Sequence, residues 1–297
     1  MLIVTDDHPP DLDEFFDHLF RQTAPPESYE IVLVDVSHTV DYEEAIRRVK
    51  VRKPPALRLE FIKSEGGGRA AGFNQALRAS SGALVLFFGD DYIAPETLVS
   101  SHRDFHARHP EKNSVGIGSA ILEGALRDNH FAVWLETSGD LYGVPFSSDM
   151  TSVPEDFFYI GNASVKRAFL DRVGLFDERF PYHAWDDYEL GVRMSRLGMK
   201  AIYIPDAKAR HQHDISLEER ARVIGQAGHS AKLFQQKYPG SHRWQSVLKT
   251  PMWRIWLSAC LWRTLSWFTG SQRALTRYYR AVLDRSFCTG YYRSREE

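Results

Sequence analysis

The sequence predicts an α/β fold, with a mostly parallel central sheet, helices on both faces, and a helical C-terminal extension. Three observations predict it. Short β-rich apolar runs alternate with helix-spaced patterns from the N-terminus to Asp91, the alternation that builds a sheet covered on both sides. The run at 83–88, ALVLFF, is apolar throughout, as in a strand buried on both faces. Beyond Ile215 strand patterning stops and helical spacing takes over.

The elements follow in order. Leu2–Thr5 is a short strand. Leu12, Phe15, Phe16 and Leu19 recur at helical spacing behind early acids, and Ala24-Pro25-Pro26 ends that helix. Residues 31–34 form a strand ending at Asp35. Residues 42–51 read as a helix broken by Pro54-Pro55, and 57–62 as a strand. Gly66-Gly67-Gly68 is a loop, 70–79 a helix, and the buried run ends at Gly89-Asp90-Asp91. Residues 113–122 form another strand. The aromatic-rich stretches 131–137 and 141–146 read as loops suited to a pocket. Gly161-Asn162-Ala163 reads as a small-residue turn before a helical pattern. A corner at 174–177 leads to Asp186-Asp187, which open another helix. Residues 201–204 are the last strand, and 207–213 lead to His211-Gln212-His213.

Composition narrows the class. A hydrophobic fraction of 43% and a charged fraction of 26% are ordinary for a globular chain of 297 residues. Two cysteines, Cys260 and Cys288, make no disulfide framework or zinc spacing, which favours a reducing compartment. The start, MLIVTDDHPPD, has no basic region and too short an apolar run for a signal peptide. No nucleic-acid partner is expected. The net charge of −2 hides an asymmetry: from Ser241 onward ten Arg and Lys face three acids, and five of the seven tryptophans share that tail.

In an open α/β sheet the ligand lies beyond the carboxyl ends of the strands. Thr5, Asp35, Asp90 and Asp91 fall there. Two acids at a strand end can hold a divalent cation that clamps a diphosphate, although acids are also common turn formers. Asp186 and Asp187, with Glu189, sit where a helix dipole favours negative charge. A carboxylate held ionised beside a pocket is also what a general base requires. His211 and His213 share a face if they lie in a strand, and one of them suits a late ligand to an oxygen-rich metal site. Gly66-Gly67-Gly68-Arg69 resembles a phosphate-cradling turn but lacks the P-loop Lys-Ser/Thr.

Taken in order, these features resemble the GT-A glycosyltransferases of family 2 over roughly residues 1–240. QTAPPESYEIVLVD is similar to that family's first helix end and second strand. GGGRAAGFNQALRASSGALVLFFGDD is similar to the segment leading to its DxD-type metal motif, in a GDD variant. YIGNASVKRAFLDRVGLFDERFPYHAWDDYELGVRMSRLGMKAIYIPDAKARHQH is similar to its acceptor and catalytic half.

The resemblance implies an inverting, metal-dependent enzyme that moves a sugar from a nucleotide diphosphate sugar, a UDP-sugar first among them. The acceptor would be a hydroxyl of a glycan or a lipid-linked molecule in bacterial surface polysaccharide synthesis. Asp91 helped by Asp90, with His211 and His213 as its alternate, would hold Mn²⁺ or Mg²⁺. Asp187 would be the base, with Asp186 as runner-up. Thr5, Asp35, Arg69 and Asn74 would serve the donor. Asn162, Tyr182 and Trp185 would face the acceptor, the two aromatic rings either flooring a sugar or packing the loop. Residues 1–215 would form the catalytic domain, with a nucleotide-sugar half at about 1–110 and an acceptor half at 111–215. Residues 216–297 would form a helical, Trp- and Arg-rich region.

There are departures. Val36 stands where the family has a second acid after Asp35, Phe73 where it has an Arg, and Gly89 where it has the first acid of the metal motif. They motivate a second reading, a degenerate transferase fold acting as a scaffold. A nucleotidyltransferase would show a basic, Gly-rich first strand end, whereas Thr5-Asp6-Asp7-His8 stands here. In the tail, Trp253, Trp256, Leu257, Cys260, Leu261, Leu265, Trp267 and Phe268 recur at helical spacing, interrupted by Arg254 and Arg263. That pattern is too charged to span a bilayer and suits a membrane interface or a homodimer contact. The expected location is cytoplasmic, peripheral on the inner face of the plasma membrane.

Overall fold

A computed structural model of the chain describes residues 1–7, 11–140, 158–180, 182, 184–211, 215–240 and 245–293. The N-terminal half runs β1 (Leu2–Thr5), α1 (Leu12–Phe20), β2 (Glu30–Asp35), α2 (Glu43–Arg52), β3 (Arg58–Lys63), α3 (Arg69–Ala79), β4 (Leu84–Phe88), β5 (Tyr92–Ile93) and α4 (Leu98–Arg108). Next come β6 (Ser114–Ile121), α5 (His130–Ser138), β7 (Asn162–Lys166), α6 (Arg167–Val173), α7 (Asp186–Arg196) and β8 (Lys200–His211). Four helices close the chain: α8 (Leu217–Lys237), α9 (Gln245–Leu248), α10 (Met252–Thr269) and α11 (Gln272–Arg293).

One eight-stranded sheet carries the fold, in the order β3-β2-β1-β4-β7-β6-β8-β5. β3, β2, β1 and β4 are parallel, and so are β6 and β8; β7 runs against both its neighbours and β5 runs against β8. The sheet is therefore parallel from β3 to β4 and mixed beyond β4. Ile3, Ile31, Val32, Leu33, Phe87, Phe88, Val115 and Val165 form its core with Phe15, Phe16 and Leu19 of α1. Alternate faces of the sheet meet helices, so the strands read as continuous apolar runs.

Three sequence expectations change. Residues 131–137 lie in α5, not in a loop. Asn129 caps that helix by accepting the N–H groups of Phe131 and Ala132 at 2.9 and 3.2 Å, and Phe131, Ala132 and Leu135 are buried against Leu122, Ile215 and Leu283. Asn162-Ala163 does not continue a turn. It begins β7, whose first four residues, Asn162 to Val165, are buried between β4 and β6. Residues 201–204 and 207–211 form one strand, with a register shift opposite Ile117 and Ser119. Residues 141–146 and His213 lie outside the described residues.

Beneath β7 lies a buried polar network. The His102 ring pairs with Ser164 Oγ at 2.8 Å and Asn162 Oδ1 at 2.9 Å, and His106 Nε2 pairs with Ser164 Oγ at 2.9 Å. Burial lowers both imidazoles to about 4. A depressed histidine contributes stability above its unfolded value, about 6.5. That stability is lost as pH falls through 6.5 toward 4, because the unfolded chain takes up the protons first. Lowering pH from 7 to 4.5 should reduce unfolding free energy, by about 2 kcal/mol from His102 alone. Urea titrations at the two pH values check this, and His102→Gln should flatten the dependence.

The C-terminal helices are joined to the sheet domain rather than appended loosely. Lys237 of α8 donates to Asp177 Oδ2 at 2.6 Å and to Glu189 Oε1 of α7 at 2.7 Å, and Tyr238 Oη donates to the same Glu189 oxygen at 2.7 Å. Arg193 closes on Glu189 from within α7 at 2.8 Å. Burial works to raise the Glu189 carboxyl, but Arg193, Lys237 and Tyr238 together hold it below its usual range. Among the described residues no helix is long and apolar enough to cross a membrane.

Candidate active site

The carboxyl edge of the parallel strands gathers the first group. Thr5, Asp35 and Lys63 occupy one row of the sheet, each the last residue of its strand. Asp35 is nearly buried, with 6% of its side chain exposed. Its Oδ1 accepts the Ser37 N–H at 2.8 Å and the Ser37 hydroxyl at 2.6 Å, and Lys63 donates to Oδ2 at 2.8 Å. Both oxygens are thus committed to shaping the 35–37 turn. Asp7 holds the same loop by accepting the N–H groups of His38 and Thr39 at 2.9 and 2.6 Å. Thr5 Oγ1 donates to Tyr42 Oη at 3.2 Å, which donates to the Asp6 carbonyl at 2.7 Å.

The acid pair lies where β4 ends. Asn162, the first residue of β7, pairs with Phe88, the last of β4. The Gly89 N–H consequently donates to the Gly161 carbonyl at 2.8 Å. A side chain at 89 has no room, since a Cβ there would lie 2.7 Å from Asp91 Oδ1 and 3.0 Å from the Tyr92 ring. A side chain there would displace the Asp91 carboxylate, which glycine leaves in place. β5 pairs Tyr92 with His211, which brings His211 Nδ1 to 3.6 Å from Asp91 Oδ2. Burial raises the Asp90 carboxyl well above its usual range, the Asp91 and Asp6 charges add to that, and the Thr5 hydroxyl opposes it.

Whether these residues fit a divalent cation can be judged from the donor set. Like charges crowded at one strand end are relieved by a cation, and carboxylate with imidazole, the donors of Asp90, Asp91 and His211, suits Mg²⁺ or Mn²⁺ rather than a soft metal. Among the described residues no three such side chains close into a cage. An open Asp91–His211 pair matches an ion that takes one or two carboxylates and completes its shell with substrate phosphates.

The second acid pair opens α7, and its two members differ. Asp186 is fully buried and receives Arg69 in a two-point clasp, Nη2 to Oδ1 at 2.7 Å and Nε to Oδ2 at 3.1 Å. Burial opposes the Arg69 charge, but Asp186 and then Asp187 hold the guanidinium firmly protonated. Asp187 keeps 20% of its side chain exposed and lies 3.9 Å from Arg69. Its Oδ1 accepts the Tyr188 N–H at 2.8 Å. Trp185, immediately before the pair, has φ of 73°, the one positive φ on a non-glycine among the described residues. A bulky side chain is rarely found there and the strain costs about 1–3 kcal/mol. The indole rests on Phe234 of α8 at 5.1 Å and on Tyr188 at 5.6 Å between ring centroids.

Helix α3 braces this half from the other side. Gly67, at φ of 88°, turns the chain into it, and Arg69 is its first residue. Asn74 donates to the Phe176 carbonyl at 3.0 Å and to Glu178 Oε1 at 2.7 Å, and accepts the Phe176 N–H at 2.9 Å. Asn74 is therefore a clasp on the 174–178 corner, not an open donor contact, and Arg69 serves Asp186. Phe73, in place of the family's Arg, stacks on Phe176 at 5.5 Å. Asn162 is also internal. It is fully buried, donates to the Ser119 and Ala207 carbonyls at 3.0 and 2.8 Å, and has its Oδ1 on His102. Tyr182 meets the edge of His229 at 5.2 Å and is partly exposed.

Tyr159 links the two acid pairs, and sequence reasoning passed over it. Its hydroxyl meets that of Tyr92 in a short contact. Burial raises this phenol well above its usual range, with the Asp91 and Asp187 carboxylates adding to the shift and Arg69 opposing it. One side chain thus feels both carboxylates. The signal was present in YIGN, where the tyrosine stands two residues before Gly161, but nothing in a single sequence distinguishes it from loop packing.

Comparisons with known proteins agree with this fold. A family model described as glycosyltransferase like family 2 matches residues 2–224. The chain is 28% identical over 211 residues to validoxylamine A glucosyltransferase of Streptomyces hygroscopicus subsp. limoneus, covering 63% of this chain and 46% of that protein. It spans about half the length of the curated relatives it matches. Among solved structures, the mannosyltransferase PcManGT from Pyrobaculum calidifontis, in complex with GDP-Man and Mn²⁺, superposes with a TM-score of 0.60 at 18% identity. That match covers 97% of this chain and 85% of the other. S. aureus TarS 1–349 in complex with UDP-GlcNAc superposes with a TM-score of 0.56 at 16% identity, covering 99% and 90%. The shared architecture is the GT-A fold with a helical C-terminal region.

Proposed function

The chain belongs to glycosyltransferase family 2, and from that premise we propose that it transfers a sugar, with inversion, from a nucleotide diphosphate sugar to a hydroxyl of a glycan or lipid-linked acceptor. The observation that carries this reading is the division of labour at α7. Arg69 occupies Asp186 on two points, and Asp187 beside it is the carboxylate with exposed surface.

In this reading Asp187 accepts the proton of the acceptor hydroxyl as its oxygen attacks the anomeric carbon. The bond from that carbon to the diphosphate oxygen breaks, and the electron pair leaves with the nucleotide. Asp186 and Arg69 orient Asp187 and keep its neighbour's charge compensated. Asp91 and His211, with Asp90 behind them, would hold Mn²⁺ or Mg²⁺, which when bound neutralises charge building on the leaving diphosphate. The solved relatives carry GDP-Man with Mn²⁺ and UDP-GlcNAc in their respective structures, which supports a nucleotide sugar and a divalent ion in general. A UDP-sugar is the first donor to try. Asp35, saturated by Ser37 and Lys63, would shape the base pocket rather than read the base. A surface polysaccharide assembled in the cytoplasm is the acceptor class proposed.

Two outcomes are expected. Calorimetry with UDP-, GDP- and dTDP-sugars in Mn²⁺ should show one donor bound, and EDTA should remove both binding and turnover. Binding of none would favour a scaffold role, and undiminished turnover in EDTA would end the metal assignment. Tyr159→Phe should keep the fold, because the ring is kept, and should lower stability by about 1 kcal/mol through the lost Tyr92 contact. It should reduce kcat/KM about tenfold, the effect of about 1–2 kcal/mol from one buried hydroxyl; steady-state kinetics with a thermal melt separates the two effects.

A further inference from the structure

Helix α10 has two apolar faces. Ile255 and Ala259 are buried inward. On the outer side Trp253, Trp256, Leu257, Leu261, Trp267 and Phe268 are 49–79% exposed. At 100° per residue these six fall within an arc of about 140°. The exposed arginines Arg254 and Arg263 project from its two borders. Across α10 and α11 there are seven arginines and a single acid, Asp284. Behind the Arg254 border, Arg254, Arg277 and Arg280 line a groove of about 470 Å³ between α9, α10 and α11. Arg277 lies over the Trp262 ring at 4.4 Å.

We propose that this outer face of α10 docks on an anionic lipid surface, the apolar arc entering the headgroup boundary and the bordering arginines meeting lipid phosphates. A tryptophan-rich helix edged by arginine has the composition of an interfacial helix. Charge decides against the competing occupant, a second copy of this chain. A two-fold contact places the same patch on both subunits, so the Arg254 and Arg263 borders would face their own kind, which is costly. An anionic surface satisfies both borders at once. Docking of this face is independent of the chemistry at the sheet edge.

Flotation of the full chain with phosphatidylcholine vesicles and with vesicles containing 30% phosphatidylglycerol tests the proposal. Binding to the anionic vesicles should be at least tenfold tighter, should weaken from 0.1 to 0.5 M salt, and should shift tryptophan emission to the blue. Arg254→Gln with Arg263→Gln should weaken it about 25-fold, at roughly fivefold per arginine. Trp267→Ser with Phe268→Ser should abolish the shift while leaving the melting temperature unchanged. No binding to either vesicle, equal binding to both, or a light-scattering dimer that Trp267→Ser with Phe268→Ser dissolves would overturn it.

Discussion

Asp187→Asn is expected to remove sugar transfer while leaving the fold and donor binding in place. The amide oxygen can still accept the Tyr188 N–H that now bonds Asp187 at 2.8 Å, so α7 should begin as before. What disappears is the capacity to take a proton, worth about 10²–10⁴-fold in rate for a general base. Turnover should fall by that factor and the donor dissociation constant should change less than about threefold. Asp186→Asn gives the contrast. It removes the fully buried charge of the pair with Arg69, so it should lower stability first and rate through Asp187's orientation. A dead Asp186→Asn beside a nearly normal Asp187→Asn would exchange the two roles.

Arg69→Met should produce the largest loss of stability. Arg69 meets Asp186 at two points, and the carboxylate has no exposed surface. Removing one member of a buried pair strands the other charge, at about 3–5 kcal/mol. Urea denaturation should register a loss of that size. The double variant Arg69→Met with Asp186→Leu should regain most of it, because an apolar pair of similar volume costs little to bury. Its transfer rate should stay low, since Asp187 would have lost the ion pair that positions it. Recovery of the rate together with stability would show that the pair has no positioning role.

β1, β2 and β4 were legible because each is an apolar run of four or five residues followed at once by a polar residue or by Gly89-Asp90. Thr5, Asp35 and the acids after Phe88 reach one edge by that rule alone. β7 was not legible. Its first residues, Asn162-Ala163, read with Gly161 as a turn, and only pairing with β4 and β6 makes them a strand. The same cause hid the internal hydrogen bonds of Asn162 and Asn74. A polar side chain at a motif position can face a ligand or close an internal gap, and both asparagines do the latter. α5 was read as a loop because its aromatic residues are buried by the C-terminal helices, Phe131 against Tyr279, a long-range contact that helical spacing over nine residues does not announce. The pairing of Asp186 with Arg69, separated by 117 residues, was invisible for the same reason, and it is what separates the two acids.

The most direct test needs no acceptor. Slow hydrolysis of the bound donor by water uses the same base and the same face of the sugar. Proton NMR of the sugar first released, read before mutarotation, reports the anomer and the rate together. The prediction is inverted configuration from the wild-type chain and a release rate at least a hundredfold lower in Asp187→Asn. Retained configuration, or release undiminished in that variant, would contradict an inverting transfer based on Asp187.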